Sequence, residues 1–207
     1  MPLLNLAAFA AQALTTEPFK YLVMPGFLTG ETAGALAHGF PPIAHAGLLP
    51  VEATKPGPLF RALIDELQGP AFTAAVSAKF GIDLTGHPRM VTVRGRCQER
   101  DGRIHTDSET KIITALVYFN TDWEADGGRL RLLRSATDLD DVIAEVPPDL
   151  GTLVIFQRSD NSFHGHEPFV GERRAVMINW MANSFAAQRE LICHRVSAQA
   201  KKILNYA

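Results

Sequence analysis

Residues 1 to about 86 and residues 88 to 182 differ in the rhythm of their apolar and polar positions. The first stretch is rich in Ala and Leu, with apolar residues three and four apart as on one face of a helix. The second alternates apolar and polar residues between Gly and Asp punctuation, as strands do. Within the first stretch, residues 19–23 predict a short strand. Thr29 is then placed to cap a helix running through His38, with Glu31 in its first turn, Gly39 just past its end and Pro41-Pro42 barring continuation. Two further helices are predicted over 57–67 and 70–80, the second opening on Pro70 and closing at Gly81. In the second stretch strands are predicted over 90–97, 112–120, 129–133, 152–157 and 173–181, the last three introduced by Gly127-Gly128, Gly151 and Gly171. Short strands at this spacing imply a mainly β architecture, a barrel or jelly roll with the N-terminal helices packed outside it. A closing helix is predicted over 186–204, where Leu191, Val196 and Ile203 are the apolar anchors for packing on that barrel.

The chain has 207 residues, the size of one domain, divided as a helical part (1–87), a β core (88–182) and a C-terminal helix (183–207). With 46% hydrophobic and 20% charged residues the composition is that of a globular protein and excludes disordered, collagen-like and coiled-coil classes. A formal charge of -2 lacks the basic footprint of a nucleic-acid binder. The apolar run over 3–14 is broken by Asn5 and Gln12, and it falls short of the roughly 20 residues a membrane helix needs. The first lysine, Lys20, follows that run, so a signal peptide's basic leader is missing and the segment is expected to be part of the fold. Cys97 and Cys193 form no CxxC motif; a reduced, cytoplasmic protein without a disulfide is expected.

Candidate chemistry begins at His105-Thr106-Asp107. In an extended chain residues two apart face the same side, so imidazole and carboxylate can reach one ion. A second imidazole is available downstream at His164 or His166, and alternation alone does not choose between them. Two imidazoles and one carboxylate form the facial triad of non-haem Fe(II) oxygenases, which leaves open coordination positions. Iron is favoured over zinc, which prefers four-coordinate sites and, in structural roles, thiolates; zinc and manganese stay open on the ligand set alone.

Four blocks carry a resemblance: His105-Thr106-Asp107; Thr114 to Trp123 (TALVYFNTDW); Gly127-Gly128-Arg129-Leu130-Arg131; and Ser159 to His164 (SDNSFH) followed by Gly171-Glu172-Arg173-Arg174-Ala175-Val176. In this order the sequence resembles the Fe(II)/2-oxoglutarate dioxygenases, most closely their prolyl 4-hydroxylase-like branch, including the hypoxia-sensing prolyl hydroxylases. The resemblance spans roughly residues 88–182. It implies a double-stranded β-helix with Fe(II) and 2-oxoglutarate in its mouth. It also implies hydroxylation of an unactivated C–H bond by dioxygen with succinate and CO2 as co-products, and ascorbate as a candidate reductant. His105, Asp107 and His164 match the iron ligands, and no catalytic side chain beyond them is implied. Arg173 matches the basic residue that pairs with the distal carboxylate of 2-oxoglutarate, while Arg174 is expected to face outward. Tyr118, Thr114 and Leu130 match positions lining the cosubstrate pocket. The spacing to Arg173 favours His164 as ligand and leaves His166 as a supporting or substrate-side residue. Arg94, Arg96 and Arg100 precede the His-x-Asp block and are candidates for recognising an acidic substrate. Trp123 and Trp180 are expected to be core residues. The substrate expected is a prolyl residue of a peptide or a small metabolite, with no nucleic-acid or membrane partner. Two rivals are a cupin-like metal enzyme using His105, His164 and His166 without 2-oxoglutarate, and a non-catalytic binding or sensing module on the same barrel.

Overall fold

Proline and glycine punctuation sets most element boundaries in the computed structural model, which describes residues 2–185, 187–190, 192, 193 and 196. Helix α1 (Leu6–Ala11) begins where the Asn5 side chain accepts from the Ala8 N–H. With Leu3, Leu4 and Phe9 buried, the N-terminal apolar run is built into the core. Strand β1 (Tyr21–Met24) follows, then α2 (Gly30–His38), where the Thr29 hydroxyl meets Thr32 Oγ1 rather than a backbone N–H. After the two-residue strand β2 (Leu49–Pro50) come α3 (Pro58–Gln68) and α4 (Pro70–Phe80). Pro58 and Pro70 start these helices because a proline in the first turn gives up no intrahelical bond. Phe60, Leu63, Ile64 and Leu67 on α3, and Phe72, Val76 and Phe80 on α4, form the buried stripes, and Gly81 ends α4 in the left-handed region.

The β part comprises β3 (Arg89–Cys97), β4 (Lys111–Tyr118), β5 (Leu130–Leu133), β6 (Val142–Val146), β7 (Leu153–Gln157), β8 (Phe163–Gly165) and β9 (Gly171–Met181). They form a six-stranded antiparallel sheet in the order β1-β7-β4-β9-β3-β2 and a three-stranded sheet in the order β6-β5-β8. The connection order is that of a jelly roll, as the strand spacing predicted. Strand β6 was not predicted: its positions are mostly half-exposed and no glycine introduces it. Strand β4 stops at Tyr118 instead of residue 120 because the Asn120 side chain leaves the ladder, donating to the Pro148 carbonyl and accepting from the Arg174 N–H.

Alternation on the large sheet separates two apolar compartments. Ile113, Ala115, Val117, Val176, Ile178 and Trp180 join the residues of α3 and α4 in the main core, so the helices cover the outer face. Leu116, Tyr118, Ala175, Val154 and Phe156 face inward with Leu130, Leu132 and Val146 of the small sheet. Burying each large apolar side chain contributes roughly 1.5–3 kcal/mol, so the outer layer fixes the sheet on which the inner face is displayed. The helix predicted over 186–204 lies largely outside the described residues; 187–190 within it are helical. Among the described residues no helix is long and apolar enough to cross a membrane, and both Cys97 and Cys193 are free.

Candidate metal centre and adjoining cavity

A two-way backbone pairing builds the site. His105 N–H donates to the His164 carbonyl and His164 N–H to the His105 carbonyl, both at 3.0 Å, which sets the two rings 4.4 Å apart between centroids. Each ring turns Nδ1 toward a backbone carbonyl, Arg103 O at 2.8 Å for His105 and Ser162 O at 3.0 Å for His164. A carbonyl can only accept, so Nδ1 carries the proton in both rings and Nε2 is left with its lone pair. Asp107 completes the set: ligand atoms of His105, Asp107 and His164 lie within 4.8 Å of one another, the one such cluster among the described residues. Paired imidazole nitrogens with one carboxylate suit a divalent transition metal that keeps open positions.

The carboxylate is held from two sides. Lys111 Nζ is 2.7 Å from Asp107 Oδ1, and the Thr114 hydroxyl donates to Oδ2 at 2.5 Å. Burial alone would raise the Asp107 pKa, but the Lys111 charge, His164 and these hydrogen bonds hold it at about 2. Burial lowers the His164 pKa to about 4, so the ring stays neutral and ready to ligate. Thr114 also meets the buried Asn179 amide at 2.8 Å. The atom it faces is Asn179 Oδ1, so the single hydroxyl proton is shared between that oxygen and the carboxylate.

The centre opens into a cavity of about 140 Å3 whose wall includes Thr114, Leu130, His166, Arg94, Lys111 and Arg173. Arg173 is 3% exposed. Its Nε donates to Gly128 O at 2.7 Å and its NH2 group to Tyr118 Oη at 3.1 Å, and among the described residues no carboxylate pairs with it. Gly128 can present that carbonyl because it adopts φ +80° and a side chain there would press on Trp123 and Phe169. Arg174, one residue on, faces outward beside Glu172 and over the Phe40 ring.

His166 does not join the cluster. Strand β8 ends at Gly165, so alternation no longer governs residue 166. The His166 ring is 6% exposed, its Nδ1 donates to the Glu167 carbonyl at 2.8 Å, and burial together with nearby Arg173 lowers its pKa to about 4. Arg94 and Arg96 are also separated: a β-bulge between them leaves Arg94 on the cavity wall and turns Arg96 to solvent. Arg100 is exposed as well. Trp180 is fully buried in the main core, but Trp123 is not a core residue: it is half-buried, its ring tilted 49° against Phe169 at 4.8 Å, away from the cavity wall. Sequence reasoning missed Lys111 and Asn179. The polar Asn179 within the buried run VMINWM, in step with Arg173, was a readable signal; Lys111 reaches Asp107 only through the turn in which its N–H bonds Ser108 O.

Residues 95–182 match the 2OG-Fe(II) oxygenase superfamily. No curated protein matches the chain. Among solved structures, the fold is shared with a prolyl-4-hydroxylase from Pseudomonas putida (19% identity, 86% of this chain and 100% of that one, TM-score 0.54). It is shared too with the viral collagen prolyl hydroxylase of Paramecium Bursaria Chlorella virus-1 (16%, 79% and 96%, TM-score 0.56). A 2OG-Fe(II) oxygenase family oxidoreductase from Burkholderia pseudomallei is similar as well (15%, 85% and 89%, TM-score 0.52).

Proposed function

We propose, from the match of residues 95–182 to the 2OG-Fe(II) oxygenase superfamily, that this chain hydroxylates a C–H bond of a prolyl residue or small metabolite. His105, Asp107 and His164 would hold Fe(II), and Arg173 would hold the distal carboxylate of 2-oxoglutarate. Bound there, iron and 2-oxoglutarate supply the oxidising chemistry, in which dioxygen is spent on making succinate, CO2 and a hydroxylated product, with ascorbate as an external reductant.

The observation that carries this reading is the buried Arg173 guanidinium, which has two neutral acceptors and, among the described residues, no counter-ion. An unpaired buried charge costs several kcal/mol, and a ligand carboxylate on the same cavity wall as the metal cluster removes that cost through two parallel charge-assisted bonds. The protein's own part is positioning. Thr114 and Lys111 fix the Asp107 carboxylate, the two backbone carbonyls fix the histidine rings, Tyr118 orients Arg173, and Leu130 closes an apolar side against water. The cupin-like rival needs His166 as a ligand, and the separate position of that ring speaks against it.

The test is succinate formation from 2-oxoglutarate by the iron-loaded protein, with anaerobic titration of Fe(II) and then 2-oxoglutarate followed by the weak visible band of the chelate. Wild type gives both signals and Asp107→Ala neither. Near-normal turnover in Asp107→Ala sinks the metal assignment, and metal uptake with no band removes the cosubstrate.

A further inference from the structure

We propose that Arg94 seats a carboxylate of the prime substrate, so that the molecule hydroxylated is a small free acid and not a residue inside a peptide chain. This rests on the iron and 2-oxoglutarate site proposed above. Arg94 stands opposite Ala175 on β9, and Ala175 opposite Tyr118 on β4, so the three share one row of the inner face. The bulge after Arg94 holds it there: Gly95 packs so closely on Ile43 that a Cβ would come within 2.6 Å.

One end of the guanidinium is anchored and the other is not. Its NH1 group donates to Asp101 Oδ2 at 2.9 Å and meets Cys97 Sγ at 3.4 Å. Nε and NH2 have no protein partner among the described residues, while the side chain, 18% exposed, lines the cavity. Asp101 reaches it from behind, held by the Gln98 N–H at 3.1 Å, and lines the outer cleft, not this cavity. The wall therefore carries three cations, Arg94, Lys111 and Arg173, against the single carboxylate of Asp107.

A divalent metal and a doubly charged 2-oxoglutarate cancel one another, and Arg173 balances Asp107. Lys111 and Arg94 then remain, with only Asp101 behind them, and a cavity filled in this way still attracts one negative charge. The free edge of a guanidinium matches a carboxylate in two parallel hydrogen bonds, a geometry that a neutral backbone amide does not offer. His166 adds a second selective element on the same wall. Since its Nδ1 proton is committed to the Glu167 carbonyl, its other nitrogen is an acceptor for an N–H or O–H of the same small molecule.

The test uses the full chain loaded with zinc(II), an inert stand-in for iron, and saturated with 2-oxoglutarate. Free L-amino acids and short aliphatic acids are titrated by calorimetry, each beside its primary amide, together with a prolyl pentapeptide. At least one acid is expected to bind at least tenfold more tightly than its amide. Arg94→Gln should erase that preference, Arg94→Lys should retain part of it, and 2-oxoglutarate affinity should stay within about twofold in both. Acids that bind no better than their amides, or binding by the pentapeptide alone, overturn the proposal. Loss of 2-oxoglutarate binding in Arg94→Gln overturns it too, by placing Arg94 in the cosubstrate site. Wild type that takes zinc but no 2-oxoglutarate overturns the cosubstrate reading itself, and the substrate proposal with it.

Discussion

Replacing Arg173 by Met should separate stability from ligand binding, because the buried guanidinium matters little to the first and much to the second. In the ligand-free protein the group makes, among the described residues, two hydrogen bonds, to Gly128 O and Tyr118 Oη, and no ion pair. Bonds to a charged group contribute about 1.5–3 kcal/mol each, roughly 3–6 in all. Against them stands the desolvation of an unpaired ion, an effective several kcal/mol. These nearly cancel, so Arg173→Met should change the stability of the ligand-free protein by no more than about 2 kcal/mol. Binding has no such compensation: truncating one partner of a buried charge pair costs about 2–5 kcal/mol, a loss of roughly 30- to several-thousand-fold in affinity. The assay is thermal or urea unfolding of metal-loaded protein with 2-oxoglutarate at about 100 times the wild-type Kd. There the wild type gains about 2.7 kcal/mol, while a 30-fold weaker variant gains less than about 1. Equal ligand-induced stabilisation in the two proteins would refute Arg173 as the anchor. A ligand-free variant weakened by more than about 4 kcal/mol would show the guanidinium to be structural and the charge accounting wrong.

Thr114→Val keeps the shape but removes the hydroxyl that donates to Asp107, leaving a buried carboxylate oxygen short of a partner; metal affinity by calorimetry should fall about 10- to 100-fold with the fold retained. Gly102 stands at φ +90°, with a would-be Cβ 2.4 Å from His166 Nδ1, so Gly102→Ala should destabilise the protein by more than about 2 kcal/mol in urea unfolding; a loss under 0.5 would show that the loop yields freely. Burial lowers the folded pKa of His164 and of His166 to about 4, so from pH 6.5 down to 4 the unfolded chain binds the extra protons and stability falls with pH. Each histidine should cost the metal-free protein about 2 kcal/mol between pH 7 and 5, and a flat profile from urea unfolding would contradict their burial as neutral rings. Asp107, with a folded pKa of about 2, works in the same sense in a lower window: its stabilisation is present above pH 3.8 and is lost as pH falls through 2.

What could be read from the sequence and what could not divide along the range of the interactions involved. Helices α3 and α4 announce themselves locally, through Gly57-Pro58, Gly69-Pro70, Gly81 and apolar residues at helical spacing, and the structure places them within a residue of expectation. The inward face of β4 was equally legible, because Thr114 and Tyr118 sit four apart in an uninterrupted strand. Alternation loses its force where strands bend or stop. The bulge after Arg94 and the end of β8 at Gly165 separate pairs, Arg94 from Arg96 and His164 from His166, that i to i+2 periodicity treats as equivalent. Nothing local marks the reciprocal backbone pairing of His105 with His164, since the partners are 59 residues apart and the three-residue β8 carries no strand signal of its own. The same holds for Lys111, whose ammonium reaches Asp107 through a turn and not through strand or helix spacing. The sequence thus discloses which chemistries the chain contains. Which side chains share a cavity is settled by the interruptions of its regular elements, and the two positions proposed to meet the substrate, Arg94 and His166, lie at those interruptions.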